Sequence, residues 1–432
     1  MRSARIIIPD LVLVDWDEND PENPLNWSPT RKWLIVFAIS WMGFVSVFAT
    51  ITITPTAPQV LEEFNSHSTL KRTLLVTIWE LGEGIGPFFI APLSEKYGRL
   101  LVFHVGNFLA LCCLVATALS VNISMVIGFR FLTGCFLSIL TLGPATVGDL
   151  FEVEQTGLTM ALVMGLQMVA DFISPVAGAY IAQALGWRWS VWLAAIVLGF
   201  FSLLLGAVLR ETYSVTILER KAKRLQKDSV DGKHYRSKHQ ARVDAVTVFE
   251  SATKPIGILV RSPIIMLTTG YMAIKYALVA LILATLTPIM ESTYPRVFSR
   301  GSVGLTFLSL AVGNTIALVF YSVTSDRFVS YQCKKKGDAF RPESRLVHLF
   351  AASIILPVGF ILYGWTLAYR VHYMVPLVGA TIAGIGMTLS TLPIETYVVN
   401  VFKIHGASAI AAGVIFRSNC GAFLPLIGPP LY

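Results

Sequence analysis

Long apolar runs alternate with short polar breaks along nearly the whole chain. Eleven runs stand out: 33–55, 73–93, 101–121, 124–146, 158–183, 189–209, 263–287, 302–325, 346–366, 372–396 and 405–428. Each approaches or exceeds the roughly 20 apolar residues that carry a helix across a bilayer. Backbone groups in lipid must bond within their own segment, so the runs predict helices. Ten-residue alternation of the kind found in membrane barrels is absent. The polar segments divide the chain into a tail (1–32), a six-helix bundle (33–209), a linker (210–262) and a five-helix bundle (263–432). One phrase occurs in both bundles, Ser94-Glu95-Lys96-Tyr97 and Ser325-Asp326-Arg327-Phe328. Each copy follows the second apolar run of its bundle and is expected to open a polar loop. An all-α membrane protein follows, made of two parallel-repeat bundles with a charged latch at one membrane face.

Composition sharpens this reading. The 432 residues are 54% hydrophobic and 14% charged, against about 25% charged in a soluble domain. Lipid must therefore be the solvent for much of the surface. The net charge of +8 does not indicate nucleic acid, because the basic residues are segregated. With residue 1 inside, the inner segments hold 25 Lys and Arg and the outer ones six, which fixes the orientation by the positive-inside rule. The first 32 residues are polar, so the first helix is the expected targeting signal. Cys112, Cys113, Cys135 and Cys420 in helices and Cys333 in a loop read as apolar fillers, with no metal-binding spacing. Residues 217–225 of the linker predict either an amphipathic helix on the membrane surface or a solvated connector. Asn122-Ile123-Ser124 is a sequon on the outer face, which makes Asn122 a candidate glycosylation site.

Charges inside the runs are the candidate chemistry. A charge at the bilayer centre costs roughly 3 kcal/mol even on lenient scales and by default marks a pathway. At 1.5 Å per residue, Glu83, Asp171, Lys275 and Arg417 fall about 14–20 Å into their helices. Glu80 lies nearer the outer face and shares a helix side with Glu83, and Arg130 also lies toward that face. Low dielectric favours the protonated form of a carboxyl group, so a buried acid can load a proton on one side and release it on the other. Asp171 is the first candidate carrier, then Glu83, then Glu80. The alternative is a satisfied ion pair between helices. Lys275 and Arg417 are candidates for counter-ions or for holding anionic substrate groups. Trp79 and Tyr276 beside these charges suggest an aromatic pocket floor, with Phe44, Phe48 and Tyr397 as further aromatics. Glu395 reads as an interfacial residue. Gly82, Gly84 and Gly86 before Pro87, and Gly165, Pro175 and Gly178, predict close or moving helix contacts.

Several phrases resemble the major facilitator superfamily, and within it the fungal drug:proton antiporters of the twelve-helix, polyamine-transporter-like group. They are Asp20-Pro21-Glu22-Asn23-Pro24-Leu25-Asn26-Trp27-Ser28, Ala91-Pro92-Leu93-Ser94-Glu95-Lys96-Tyr97-Gly98-Arg99, Gly148-Asp149-Leu150-Phe151, Pro342-Glu343-Ser344-Arg345-Leu346 and Arg417-Ser418-Asn419-Cys420-Gly421. The resemblance implies a gating role for Glu95, Lys96, Gly98 and Arg99, with Asp326 and Arg327 as counterparts in the second half. It associates Arg130-Phe131-Leu132-Thr133-Gly134 with proton transfer. Gly165 followed by Ser174-Pro175-Val176-Ala177-Gly178-Ala179 resembles the antiporter signature, with Ser174 and Ala179 in place of two glycines. Pro175 and Gly178 are its gating candidates. The family pattern has twelve helices, and the eleventh run here leads to Tyr432, so a twelfth is expected to be missing.

The resemblance implies a proton-coupled exporter of small organic molecules: a drug, toxin, polyamine or secondary metabolite. Its two bundles would rock about a central site in the plasma membrane or the vacuolar membrane. The expected energy source is the proton gradient, with no cofactor and no metal. The expected partners are a small-molecule substrate and the lipid bilayer, with no nucleic acid, and the expected state is a monomer. Proton-coupled nutrient uptake and a non-transporting sensor or relic are the alternatives. No nucleophile–base pair or phosphate loop suggests an enzyme.

Overall fold

A computed structural model describes residues 11–66, 68–137, 139–152, 155–228, 234–237, 257, 262–294, 297, 306–336, 342–402 and 406–427. Most of the linker beyond residue 228, the segment 428–432 and the side chain of Cys333 lie outside the described residues.

The first bundle contains α1 (Pro29–Ile51), the short α2 (Ala57–Glu63), α3 (Thr69–Ile85), α4 (Pro87–Tyr97), α5 (Arg99–Ala118), α6 (Ile123–Phe136), α7 (Ile139–Leu150), α8 (Thr156–Leu185) and α9 (Trp187–Val208). The linker helix α10 (Ser214–Asp228) follows. The second bundle contains α11 (Pro263–Thr293), α12 (Phe307–Lys336), α13 (Val347–Ala368), α14 (Met374–Phe402) and α15 (Gly406–Ile427). Among the described residues, nine helical spans are long and apolar enough to cross a bilayer. The pairs α3–α4 and α6–α7 each form one such span. α11 and α15, of 31 and 22 residues, complete the second bundle.

Local chemistry sets the helix ends. Pro29 opens α1 at a position where its missing N–H costs nothing. The Asn122 side chain caps α6, its Oδ1 accepting from the Met125 N–H at 2.8 Å. The candidate glycosylation residue is thus an exposed helix cap. Gly98, at φ 97°, makes a one-residue turn between α4 and α5, a conformation glycine adopts without a Cβ penalty.

Small residues let helices touch. A Cβ on Gly82, Gly86 or Gly134 would run into the backbone of the facing helix along the α3–α6 seam. Gly178 lies against the carbonyl of Thr52 in the same way. Pro175 sits inside α8, which runs on past it to Leu185. The bundles meet along α8–α12 and α3–α15.

Three expectations change. Neither serine-acid-base-aromatic phrase starts a polar loop: Ser94–Tyr97 is the end of α4, one residue from α5, and Ser325–Phe328 lies inside α12, which continues to Lys336. The linker helix α10 is not a bare connector, and its buried side faces the N-terminal tail. Its buried Leu218 and Ala222 pack with Val14, Trp16 and Tyr235, under a two-stranded parallel sheet of β1 (Leu11–Val14) and β2 (His234–Ser237). Lys221 Nζ lies 2.7 Å from both Asp17 and Asp20, and Arg224 lies 2.7 Å from Glu22. The tail phrase that begins at Asp20 is thus a dock for the linker. Phe44 and Phe48 stack with each other and, through Trp41, reach Phe201 of α9. They belong to first-bundle packing and not to a pocket floor.

Candidate functional site

Two charged regions lie between the bundles. The first is a central cavity of about 90 Å³. Its wall includes Ser46 and Thr50 of α1, Trp79 and Glu83 of α3, and Met164, Gln167, Met168 and Asp171 of α8. Tyr276 of α11, Met387, Thr391 and Glu395 of α14 and Arg417 of α15 close the other side. That volume holds a few waters and is well below the roughly 300–1,000 Å³ of a small-molecule pocket. In this conformation the centre is nearly closed.

Buried charge concentrates here. Arg417 Nη1 lies 2.6 Å from Glu395 Oε1, and its guanidinium sits 5.6 Å from the centre of the Tyr276 ring. Glu395, expected at the interface, is instead 6% exposed at the centre. Four helical turns of α14 with almost no exposed side chain bury it between the bundles. Glu83 bonds to Ser418, and Arg417 lies within electrostatic reach of both Glu83 and Asp171. Asp171 borders the cavity and makes no hydrogen bond among the described residues. These acids and Arg417 come from α3, α8, α14 and α15, so both bundles contribute.

The other candidates sit behind this wall. Glu80 is wedged against Gly421 at the α3–α15 seam, where its Oε2 is buried without a hydrogen-bond partner. It is within electrostatic reach of Glu83 and Asp171. Lys275 is 2% exposed and donates to Thr391 Oγ1, which itself lines the cavity. Its ammonium thus reaches the site only through that hydroxyl. Arg130 Nη2 donates to the Thr50 carbonyl at 3.1 Å and ties α6 to the end of α1. Tyr397 is core. Sequence reading missed Gln167, Thr391 and the three methionines, because uncharged residues in apolar runs carry no signal of which side they face.

The second region is the bundle face that carries α10. Glu95 Oε1 accepts from the backbone N–H of Ser408 at 3.1 Å, in the first turn of α15. Asp326 accepts from the N–H groups of Gly157 and Leu158 at 3.0 and 2.9 Å, in the first turn of α8. Each carboxylate thus sits on the positive N-terminal end of a helix in the opposite bundle. Behind each lies a fully buried arginine. Arg99 holds Ser94 Oγ at 2.7 Å and Asp149 at 3.2 Å. Arg345 holds Ser325 Oγ at 2.6 Å and Asp326 at 2.7 Å. Glu211 accepts from the Arg99 N–H at 2.9 Å and fills the space beside Gly98. Burial raises the Tyr213 hydroxyl above its ordinary value, with Glu95 adding to it and Arg99, 4.6 Å from the ring, opposing it.

Two expected gate residues stand apart. Arg327 is exposed, because it follows Asp326 directly on the helix and points away from its neighbour's side. Arg345, from the loop after α12, takes the basic role. Lys96 lies over the Tyr97 ring at 5.6 Å, beside the latch. The phrases containing Asp149 and Arg345 were visible in the sequence, but only the fold assigns them partners.

Paired bundles, inter-bundle charges and helix-end latches define a multi-pass membrane transporter. The chain belongs to the Major Facilitator Superfamily, whose family model matches residues 39–425. It is 40% identical over 427 residues to the MFS-type transporter hepF of Aspergillus oryzae, covering 97% of this chain and 87% of that one. It is 38% identical to the MFS-type transporter penM of Penicillium rubens, over 98% and 84% of the two chains. It is 36% identical to the efflux pump radE of Floropilus chiversii, over 97% and 78%. In fold it is similar to the proton:xylose symporter XylE bound to 6-bromo-6-deoxy-D-glucose, with a TM-score of 0.72, 14% identity and coverage of 94% and 90%. Its relatives are transporters, and the chain is not an enzyme.

Proposed function

We propose that this protein is a proton-coupled exporter of small organic molecules, working by alternating access. The observation that carries the reading is the acid cluster of Glu80, Glu83 and Asp171 facing Arg417 between the two bundles. Desolvated carboxyl groups take up protons readily, and Asp171 borders the cavity with no hydrogen bond among the described residues to hold it in one state. In the cycle, Asp171 carries the proton, Glu83 passes charge to the Arg417–Glu395 pair, and Glu80 responds at the α3–α15 seam. Trp79, Tyr276 and Arg417 contact cargo, with Lys275 acting through Thr391. Glu95 and Asp326, backed by Arg99 and Arg345, close the latch-bearing face between turnovers. Gly178 gives α8 its close contact with the chain after α1, and Pro175 lies inside α8 three residues before it.

The efflux-pump relative supports the outward direction. The segregated basic residues support a cytoplasmic tail, latch face and linker. The protein works as a monomer in the plasma membrane, with the proton gradient as its energy source and no cofactor. The test is a resistance screen in pump-deficient yeast, comparing wild type with Asp171→Asn. Wild type is expected to protect against a subset of compounds and the variant to lose that protection at equal expression. Full protection by the variant would remove Asp171 as carrier. Counterflow in sealed vesicles fixes the direction, and inward-only flow would replace export with uptake.

A further inference from the structure

The linker opens with Arg210-Glu211-Thr212-Tyr213 and continues as α10. Residues 211–213 are polar, yet all three are buried. They plug into the first latch. The Glu211 carboxylate accepts from the N–H groups of Arg99 and Leu100 at the start of α5, at 2.9 and 3.4 Å. It also accepts from those of Thr212 and Tyr213, at 3.1 and 3.0 Å. One side chain thus serves the orphan donors of α5 and holds the chain that leads into α10. Thr212 Oγ1 donates to Asp149 at 3.4 Å, and the Tyr213 ring lies 4.6 Å from the Arg99 guanidinium. Arg99 in turn holds Ser94, the residue before Glu95.

Further along, α10 carries the tail. Leu218 and Ala222 lie one turn apart on one face and are buried with Val14 of β1. Lys221 bridges Asp17 and Asp20, and β1 pairs with β2 in parallel, Val12 opposite Tyr235. This dock is small. Two strands alone are marginal in water, and the Asp17 partner of Lys221 is exposed, so that pair adds little. A contact of this size can form and break while the bundles stay folded. Its position gives it leverage, because the same short linker segment meets the tail at residues 218–224 and the latch at residues 211–213.

We propose that residues 11–28 are a clasp on the first latch. Docked on α10, the tail holds residues 211–213 against Arg99 and biases Glu95 toward Ser408. Release of the tail favours an open latch face. The clasp rests on Glu95 and Asp326 acting as a gate. By linkage the effect is reciprocal, and an opened latch loosens the tail.

The test uses the full chain in nanodiscs, with the native cysteines replaced by alanine and spin labels at Tyr97 and Val347, which are exposed on opposite bundles. It is run in the Asp326→Asn background, where a longer-distance population is expected beside the short one. Lys221→Ala and Val14→Asp undock the tail from its two sides. Each is expected to raise the long-to-short ratio about fivefold, the lower end of the usual coupling between two sites. Lys221→Arg keeps the charge and is expected to leave the ratio as it was. With Glu211→Gln present, which weakens the link to Arg99, Lys221→Ala is expected to add little. A ratio unmoved by both undocking variants overturns the clasp alone, and so does an undiminished rise with Glu211→Gln present. A short distance only in Asp326→Asn sinks the gate reading and the clasp with it. A second measurement leaves the tail and linker unaltered. Cleavage after Glu22 by a glutamate-specific protease tracks the undocked population. It is expected to speed up about fivefold in the Glu95→Gln, Asp326→Asn double variant, and an unchanged rate overturns the proposal.

Discussion

The two latches use the same parts in different wiring. In the first half, Arg99 follows its serine by five residues and turns inward to Asp149, so it braces its own bundle. Glu95 reaches across, to Ser408. In the second half, Arg345 comes from a separate loop, pairs directly with Asp326 and also reaches Thr156 of the first bundle at 3.2 Å. Thr156 in turn meets Asn400 of α14 at 3.2 Å. The first latch thus combines a rigid brace with a cross-bundle contact, and the second is a cross-bundle network. The repeat conserves the acid on a helix end, which is where the dipole and the orphan N–H groups make an anion effective. The base is free to arrive from elsewhere.

This difference predicts unequal mutational effects. The largest is expected for Arg99→Ala. It strands Asp149 in a buried site and should cost about 3–5 kcal/mol, read as a lower unfolding midpoint in nanodiscs. Arg345→Ala leaves Asp326 with two backbone donors and some water (22% side-chain exposure), so its loss should be nearer 1–3 kcal/mol. An equal loss for the two would erase the distinction between brace and network. Next comes Asp326→Asn, which replaces charge-assisted bonds by neutral ones and should shift the closed state by about 2 kcal/mol. Glu95→Gln should shift it by about 1 kcal/mol. Both are read as faster thiol labelling at the latch face.

Gly157→Val sharpens the point without touching a charge. A Cβ at Gly157 meets Asp326 Oδ1 and lies 2.6 Å from Arg345 Nη1. The variant should mimic Asp326→Asn, and the double variant should add little, because one contact is broken twice. A pH titration tests the neighbouring tail. Burial alone would raise the Asp20 carboxyl, but Lys221 and the N–H groups of Glu22 and Asp17 hold it below its ordinary value. Its contribution is therefore full above the ordinary aspartate range and fades only as pH falls through the lowered value. Tail docking, followed by proteolysis of residues 11–28, should persist at mildly acidic pH, and Lys221→Ala should abolish that persistence. The smallest effects, within about 0.5 kcal/mol, belong to Arg327→Ala and Lys96→Ala.

Much of this was legible in the chain. Apolar runs gave the helices because lipid leaves the backbone no other solution, and the repeated phrase located both latches. Depth along the helices placed Glu83, Asp171 and Arg417 near one another. Facing was harder to read. Glu395 looked interfacial from its position in the run, and Phe44 and Phe48 looked available to a pocket, because spacing along a helix does not say which neighbour a side meets. The phrase around Arg345 was visible, but its role in the latch was hidden for a related reason. Its partner lies nineteen residues away across a loop, and only the closing of α12 onto the 342–346 turn brings them together.

The central claim is that two carboxylates, each seated on a helix end of the opposite bundle, hold one face of a rocking transporter shut. Double electron–electron resonance between spin labels at Tyr97 and Val347, both exposed at that face on opposite bundles, measures it most directly. The account predicts a single short distance in wild type, and a second, longer population in Asp326→Asn that grows in the Glu95→Gln, Asp326→Asn double variant. One unchanged short distance in all three proteins would contradict it.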